Sequence, residues 1–597
     1  MVSGPACELV SSGGANRWGP APYNVVMDKL DVVEREFRAM LAKVTGGLAP
    51  QDYGAAFWDW WLNLARSPAK QVELQQSAMK QAMDLWRFHA EAMQGKPLAP
   101  DDAGDRRFAS PAWQQYPFNV FAQAFQGGMA LLEQSARSVA GVEPRNAQLV
   151  EFAAKQVAET LSPANNPLTN PEVLQQTVAE KGQNLARGYK HFLDDLERTL
   201  SGGEAPGAEQ FRVGEKVAVT EGQVIYRNDL IELIQYSPKT PDVIAEPVLI
   251  VPAWIMKYYI LDLSPKNSLV AWLVAQGHTV FMVSWKNPTA ADRELGMDDY
   301  LTKGVYTALD AVSAVVPKRD IHAVGYCIGG TLLAIAAAAL TRKKDKRIRD
   351  VTIFAGQTDF KEPGELSLYI SPAQIGMLEA LMQKEGVLES TQMGAAFAML
   401  RAHDLLWQPA VKSYLKGERE DMIDLMAWNA DGTRMPWKMH TEYLVGLYLN
   451  NDLAEGRFKV EGKTVKLSDI HVPMFVVGTE TDHVAPWKSV YKVDGLVGSS
   501  EFTFLLTSGG HNAGIVSGPV HPRRRHRVRT RRAGDPVLSA DQWFETTESR
   551  PGSWWPTWAA WLQSRSSAKR VAPPAMGAPK AGYAPLGDAP GEYVRQR

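Results

Sequence analysis

Two cysteines, Cys7 and Cys327, are all that the 597 residues contain. One near the start and one deep in the chain exclude the disulfide framework of small secreted proteins and fit a reducing cytoplasm. The opening Met1-Val2-Ser3-Gly4-Pro5-Ala6 lacks the basic stretch and apolar run of a secretory leader. No uncharged apolar run is long enough to cross a bilayer either. An unexported, cytoplasmic protein with no transmembrane segment is therefore expected. Charge of one sign is also lacking: 64 Lys and Arg face 66 Asp and Glu, a formal net charge of -2. Without a dominant field there is no general drive toward nucleic acid or anionic membrane. Neither a CxxC nor an HExxH pattern occurs, so no metal site is expected, and no internal repeat is visible.

What is present is the composition of a folded protein, 45% apolar and 22% charged, at a length that suggests two domains. Residues 1-205 form the first. Segments such as Val72–Met79 and Val178–Leu200 carry Ala, Gln, Glu and Leu at helical spacing, with Pro/Asn-rich breaks such as Ser162–Pro167, and predict a mainly α-helical N-terminal domain. Ser201-Gly202-Gly203 marks its end. Residues 206-564 change character. Short β-branched and apolar runs at Pro247–Pro252, Thr279–Ser284, Ile321–Val324, Val351–Phe354 and Met474–Val477 read as buried strands. Helical stretches such as Ser268–Gln276 and Thr331–Leu340 alternate with them, the order of an α/β fold with a parallel sheet. Residues 375-449 break the alternation with helically spaced Met, Leu, Trp and Tyr, an insertion placed to form a lid. Residues 565-597, rich in Ala, Pro and Gly, are expected to be a disordered tail.

The chemistry concentrates in Ile321–Gly330, a strand followed by Gly325-Tyr326-Cys327-Ile328-Gly329-Gly330 and an Ala/Leu-rich helix. This is the pattern of a nucleophile elbow, whose sharp turn needs small residues on both sides of the nucleophile. Cysteine at the tip offers a thiolate favoured by the helix N-terminus and a nearby histidine. Acyl exchange between two thioesters is nearly isoenergetic, whereas a serine ester would be a deeper trap. The plainer alternative, an inert small residue in a glycine turn, ignores the strand and helix on either side.

An acid and then a base should follow in chain order, each after a strand. Met474–Val477 runs into Thr479-Glu480-Thr481-Asp482-His483, which nominates Asp482. Phe502–Leu506 runs into Ser508-Gly509-Gly510-His511, which nominates His511. His483 is a rival base, but its adjacency to Asp482 hinders a relay to one thiol. The developing oxyanion needs backbone donors. The Ile328 N–H is one candidate, and Trp254 or Ile255, after the Val251-Pro252 strand end, supplies the other.

Taken with motifs elsewhere, the chain resembles the polyhydroxyalkanoate synthases, of class I type, from about Arg106 to Leu562. Pro111–Gln114, Asn170–Leu174, Trp254–Leu263, Gln276–Pro288, Gly325–Gly330, Thr481–Trp487, Gly509–His511 and Gly552–Pro556 carry the resemblance in order. It implies an α/β-hydrolase fold catalytic domain and polymerisation of (R)-3-hydroxyacyl-CoA, with 3-hydroxybutyryl units preferred. Cys327 would hold the growing polyester, His511 would activate thiol or hydroxyl, Asp482 would support proton transfer, and no cofactor would be needed. It further implies a homodimer at the surface of cytoplasmic polyester granules, where granule-associated proteins would be partners. Arg401 would lie near the CoA entrance, where its charge can meet a phosphate; pairing with Asp404 or Glu379 is the plainer alternative.

Two other readings stay open at this stage. A Cys-dependent thioesterase or polyester depolymerase would use the same three residues with water as acceptor. A noncatalytic granule coat would rest on the aromatic cluster Phe57-Trp58-Asp59-Trp60-Trp61, which equally fits a helix core. The basic stretch Pro522–Arg532 is expected to be a solvated loop.

Overall fold

The computed structural model describes residues 49–102 and 104–597, so Cys7 and the opening residues lie outside it. Four N-terminal helices begin with proline: α1 (Pro50–Ala65), α2 (Pro68–Ala92), α4 (Pro144–Thr160) and α5 (Pro171–Ala179). At the first helical position the missing N–H costs nothing and the fixed φ is already helical, so the prolines that punctuate the sequence start helices. The α5 start is also capped by the Asn170 side chain, which accepts from Glu172 and Val173 N–H. Between them lies α3 (Phe118–Ala136), and α6 (Gln183–Ser201) follows. The single helix expected over Val178–Leu200 is instead two, because Lys181 and Gly182 take positive φ (52° and 82°) and break the ladder.

Beyond these helices the chain builds one eleven-stranded sheet. Its strands are β1 (Gly222–Arg227), β2 (Ile231–Tyr236), β3 (Val248–Val251), β4 (Val280–Trp285), β5 (Ile321–Tyr326), β6 (Ile348–Phe354), β7 (Met474–Thr479), β8 (Glu501–Thr507), β9 (Arg525–Arg532), β10 (Ser549–Pro551) and β11 (Gly587–Asp588). In space they run β10-β9-β8-β7-β6-β5-β3-β4-β2-β1-β11. The six from β8 to β4 are mutually parallel. Covering by helices on both faces explains why β3, β4, β5 and β7 are buried at every position and read as largely apolar runs. Among the helices flanking the sheet are α7 (Leu269–Ala275), α8 (Thr307–Val315) and α9 (Ile328–Arg342).

Between β6 and β7 the chain leaves the sheet for helices α10 (Pro372–Glu385) and α11 (Ser390–Leu400) and shorter helical turns as far as Leu449. The N-terminal helices seat on this insertion. Asn184 donates to the Leu415 carbonyl (2.9 Å), and Gly188 lies so close to Tyr414 that a Cβ there would sit 1.9 Å from its carbonyl oxygen.

Two expectations are corrected and one open alternative is decided. The segment 565-597 is ordered: Val571 pairs with Val243, β11 extends the sheet beside β1, and Val594 is buried. Two backbone N–H groups, of Glu592 and Tyr593, donate to the buried Glu232 carboxylate at 3.0 and 2.9 Å. Backbone pairing, which does not depend on apolar side chains, holds it. The basic stretch is no loop from Arg525 on; β9 pairs antiparallel with β8 throughout Glu501–Thr507, with His526 turned into the protein. The aromatic cluster of α1 is no core: Phe57, Trp58 and Trp61 are 48%, 58% and 46% exposed, and only Trp60 is tied inward, to the Ser135 carbonyl at 2.8 Å.

No helix among the described residues is long and apolar enough to cross a membrane.

Candidate active site

The elbow between β5 and α9 is built by steric exclusion. Cys327 sits at φ 55°, ψ -128°, a conformation L side chains rarely take. Its N–H donates to the Phe354 carbonyl at 2.8 Å, tying the turn to β6. A Cβ on Gly325 would lie 2.5 Å from Gly330 Cα, and one on Gly329 would lie 2.3 Å from the Val251 carbonyl oxygen. These glycines let the helix press against the turn and hold the half-buried free thiol at the strand end.

Parallel pairing of β7 with β8, ending at Thr479 opposite Thr507, sets the two following loops side by side. Asp482 and His511 thereby meet, with His511 Nδ1 2.8 Å from Asp482 Oδ2. The carboxylate is fully engaged: Oδ2 also accepts from Thr479 Oγ1 (2.7 Å), and Oδ1 from the Val484 and Ala485 N–H groups (2.9 and 2.8 Å). Burial would raise its pKa, but the His511 charge and these hydrogen bonds outweigh burial and hold it below the ordinary carboxylate range. His511 is buried, which opposes its charging. The charges of Asp482 and Cys327, together with hydrogen bonds to both, raise it well above an ordinary imidazole. Its ring lies beside Tyr326 at 5.6 Å between centroids, and the Tyr326 hydroxyl donates to Asn512 Oδ1 at 2.6 Å. The structure thus brings Cys327, His511 and Asp482 into one array. His483 makes no hydrogen bond among the described residues and lines a cavity of about 500 Å³ with Arg401, His403, Lys155 and Asp482 itself. Burial, then Arg401, lowers its pKa.

The other nominated residues take distinct places. Ile328 opens α9, where its N–H has no partner within the helix. Trp254 is buried with its ring against Tyr300 and Trp285, centroids 4.8 and 5.7 Å away. Ile255 lines an apolar cavity of about 360 Å³ that reaches Tyr443 and Tyr448 under the insertion. Arg401 binds Asp404 at 2.5 Å, so the plainer of its two readings describes its contact here.

Sequence reasoning missed Tyr443 and Tyr448. Tyr443 is buried and Tyr448 partly buried; both feel the Cys327 charge, and desolvation pushes the Tyr448 hydroxyl up to about 12. Their hydroxyls meet at 3.3 Å although they are five residues apart. Leu444–Leu449 is a π-helix, so five-residue neighbours share a face there, a spacing that a search at three and four passes over.

Comparison with known proteins shows the family. The profile of the poly-beta-hydroxybutyrate polymerase (PhaC) N-terminus matches residues 104–273, that of the poly-beta-hydroxybutyrate polymerase N terminal region matches 30–70, and that of the α/β hydrolase fold matches 246–517. A poly(3-hydroxyalkanoate) polymerase of Methylorubrum extorquens is 38% identical over 90% of this chain and 88% of its own. The chain belongs to the poly(3-hydroxyalkanoate) polymerase family. The subunit PhaC of Rhizobium meliloti is 36% identical over 90% of this chain and 87% of its own, and that of Cupriavidus necator 35% over 89% of each. The poly(3-hydroxyalkanoate) polymerase family thus spans the N-terminal helices as well as the α/β-hydrolase sheet, and the array of thiol, imidazole and carboxylate lies in the part shared with hydrolases.

Proposed function

We propose that the protein polymerises (R)-3-hydroxyacyl-CoA, with (R)-3-hydroxybutyryl-CoA as its unit, into a polyester with release of CoA, through a thioester on Cys327. The observation that carries this reading is the Cys327–His511–Asp482 array on a nucleophile elbow in a chain of this family. His511 takes the thiol proton, and the sulfur attacks the thioester carbonyl. The oxygen that becomes negative is met by the Ile328 N–H and a second amide from Trp254 or Ile255. The carbon–sulfur bond to CoA breaks, and CoA leaves with the proton from His511. For elongation the 3-hydroxyl of one unit gives its proton to His511, held by Asp482, and attacks another unit's thioester carbonyl; the ester bond forms, the carbon–sulfur bond breaks, and the released sulfur takes the proton back from His511. No cofactor enters any step.

The apolar cavity beside Ile255 is suited to short acyl groups. Arg401 borders the second cavity and is placed to meet a CoA phosphate once Asp404 is displaced. The exposed aromatics of α1 support contact of the N-terminal domain with polyester, granule proteins or a second subunit at a granule surface. Homodimerisation in the cytoplasm remains part of this reading through the family resemblance.

The test follows CoA release from 3-hydroxybutyryl-CoA and analyses the acyl product. Insoluble polyester is the expected product. Stoichiometric free hydroxyacid would instead favour the thioesterase or depolymerase reading.

A further inference from the structure

The loop after β3 is held by its carbonyls. Pro252 O accepts from the Trp285 indole (2.9 Å), Lys257 O from the Trp428 indole (2.8 Å), and Ile255 O from the Thr433 N–H (3.1 Å). Trp254 O accepts from the Thr433 hydroxyl. Thr433 is buried and belongs to the insertion between β6 and β7, and a β-bridge between Met256 and Gly432 continues the same seam. Among the described residues the N–H groups of Trp254 and Ile255 find no acceptor.

A trans peptide is planar, and its C=O and N–H point in opposite directions. Drawing the Trp254 carbonyl toward Thr433 therefore turns the Ile255 N–H away from Thr433 and the insertion. A Cβ on Gly329 would lie 2.5 Å from the Pro252 carbonyl oxygen, so this same loop lies against the start of α9, where the Ile328 N–H is unpaired. From these contacts we infer that Thr433 is a positioning residue for the acyl-transfer step: its hydroxyl and amide fix the Trp254–Ile255 peptide so that the Ile255 N–H, rather than that of Trp254, completes the oxyanion site with Ile328. Because Thr433 sits in the insertion, seating of that segment and readiness of the oxyanion site are one event. The inference rests on the thioester chemistry proposed above.

Replacing the hydroxyl without changing shape, Thr433→Val, should lower kcat for CoA release by roughly 10- to 100-fold, the cost expected of a misplaced or lost oxyanion donor. KM should stay within about twofold, and Thr433→Ser should restore the rate. A second readout separates positioning from a merely structural role. A trifluoromethyl ketone analogue of the acyl-CoA adds the Cys327 sulfur to its carbonyl carbon, and the oxygen keeps the electron pair as an oxyanion. A thioether analogue, with CH₂ in place of the carbonyl, has no such oxygen. Thr433→Val should weaken the ketone by the same factor as kcat/KM and leave the thioether unchanged. Equal loss for both analogues, or none for either, overturns the inference. Thr433→Ala serves the same comparison if the valine variant does not fold. Absence of CoA release by the wild type would instead overturn the functional reading.

Discussion

His511 Nδ1 lies 2.8 Å from an Asp482 oxygen that also accepts the Thr479 hydroxyl, so the imidazole is clamped by a carboxylate with no freedom to turn away. Asp482→Asn removes the charge that raises His511. The expected outcome is a loss of roughly 10²- to 10⁴-fold in kcat with little change in KM. Since Asp482 helps raise the imidazole pKa, and the imidazole must be free to take the thiol proton, the acid limb of the pH–rate profile should move to lower pH in the variant. An unchanged profile would mean that the pair does not govern catalysis.

The elbow predicts a steric cost. Gly329→Ala would place a methyl 2.3 Å from the Val251 carbonyl oxygen, where both partners are backbone and neither can turn aside. We expect a destabilisation of about 3 kcal/mol or more by denaturant unfolding, or failure to fold. Wild-type stability in this variant would contradict the packing of α9 on β3.

Two buried histidines outside the Cys327–His511–Asp482 array predict acid sensitivity. Burial holds His278 and His440 at about 3, far below an exposed imidazole. A depressed folded pKa means that both are neutral in the folded protein, and the unfolded chain takes up their protons first. Their contribution to stability is therefore present above about pH 6.5 and is lost as pH falls toward 3, at about 1.4 kcal/mol per pH unit for each site. His278 has neither ring nitrogen hydrogen-bonded among the described residues, so His278→Leu should be tolerated at pH 7.5 and should remove one site's share of the slope below pH 6. Parallel pH–stability curves for variant and wild type would refute this.

The terminal segment gives a fourth test. The Tyr593 hydroxyl donates to the Asn228 carbonyl at 2.5 Å, while the neighbouring N–H groups sit on Glu232. Under native conditions trypsin should release residues beyond Lys580 no faster than the protein unfolds, and a stability loss of roughly 2–4 kcal/mol is expected for Val594→Asp, which buries an unpaired charge. Immediate removal of the segment would show that it is not packed.

How much of this could be read beforehand differs by element for physical reasons. The central strands announce themselves because both faces are covered, and the elbow because Gly325 and Gly329 are demanded by contact with Gly330 and Val251. Asp482 and His511 follow from strand order, since each ends a parallel strand beside the next. The terminal segment was illegible because β11 adds to the sheet through backbone, and composition does not report backbone pairing. Arg525–Arg532 looks like a solvated loop, yet its alternation leaves arginine stems along an outer strand while His526 turns inward. Thr433 carried no signal at all: nothing local in its sequence tells that it reaches Trp254, 179 positions away.

The most direct test of the account is the intact mass of the protein quenched in acid during turnover of 3-hydroxybutyryl-CoA. The wild type should carry whole numbers of hydroxybutyryl units that hydroxylamine removes and that map to Cys327, while Cys327→Ala should carry none and release no CoA. Acyl units on another residue, or CoA release that persists in Cys327→Ala, would contradict a polymerase working through this thiol.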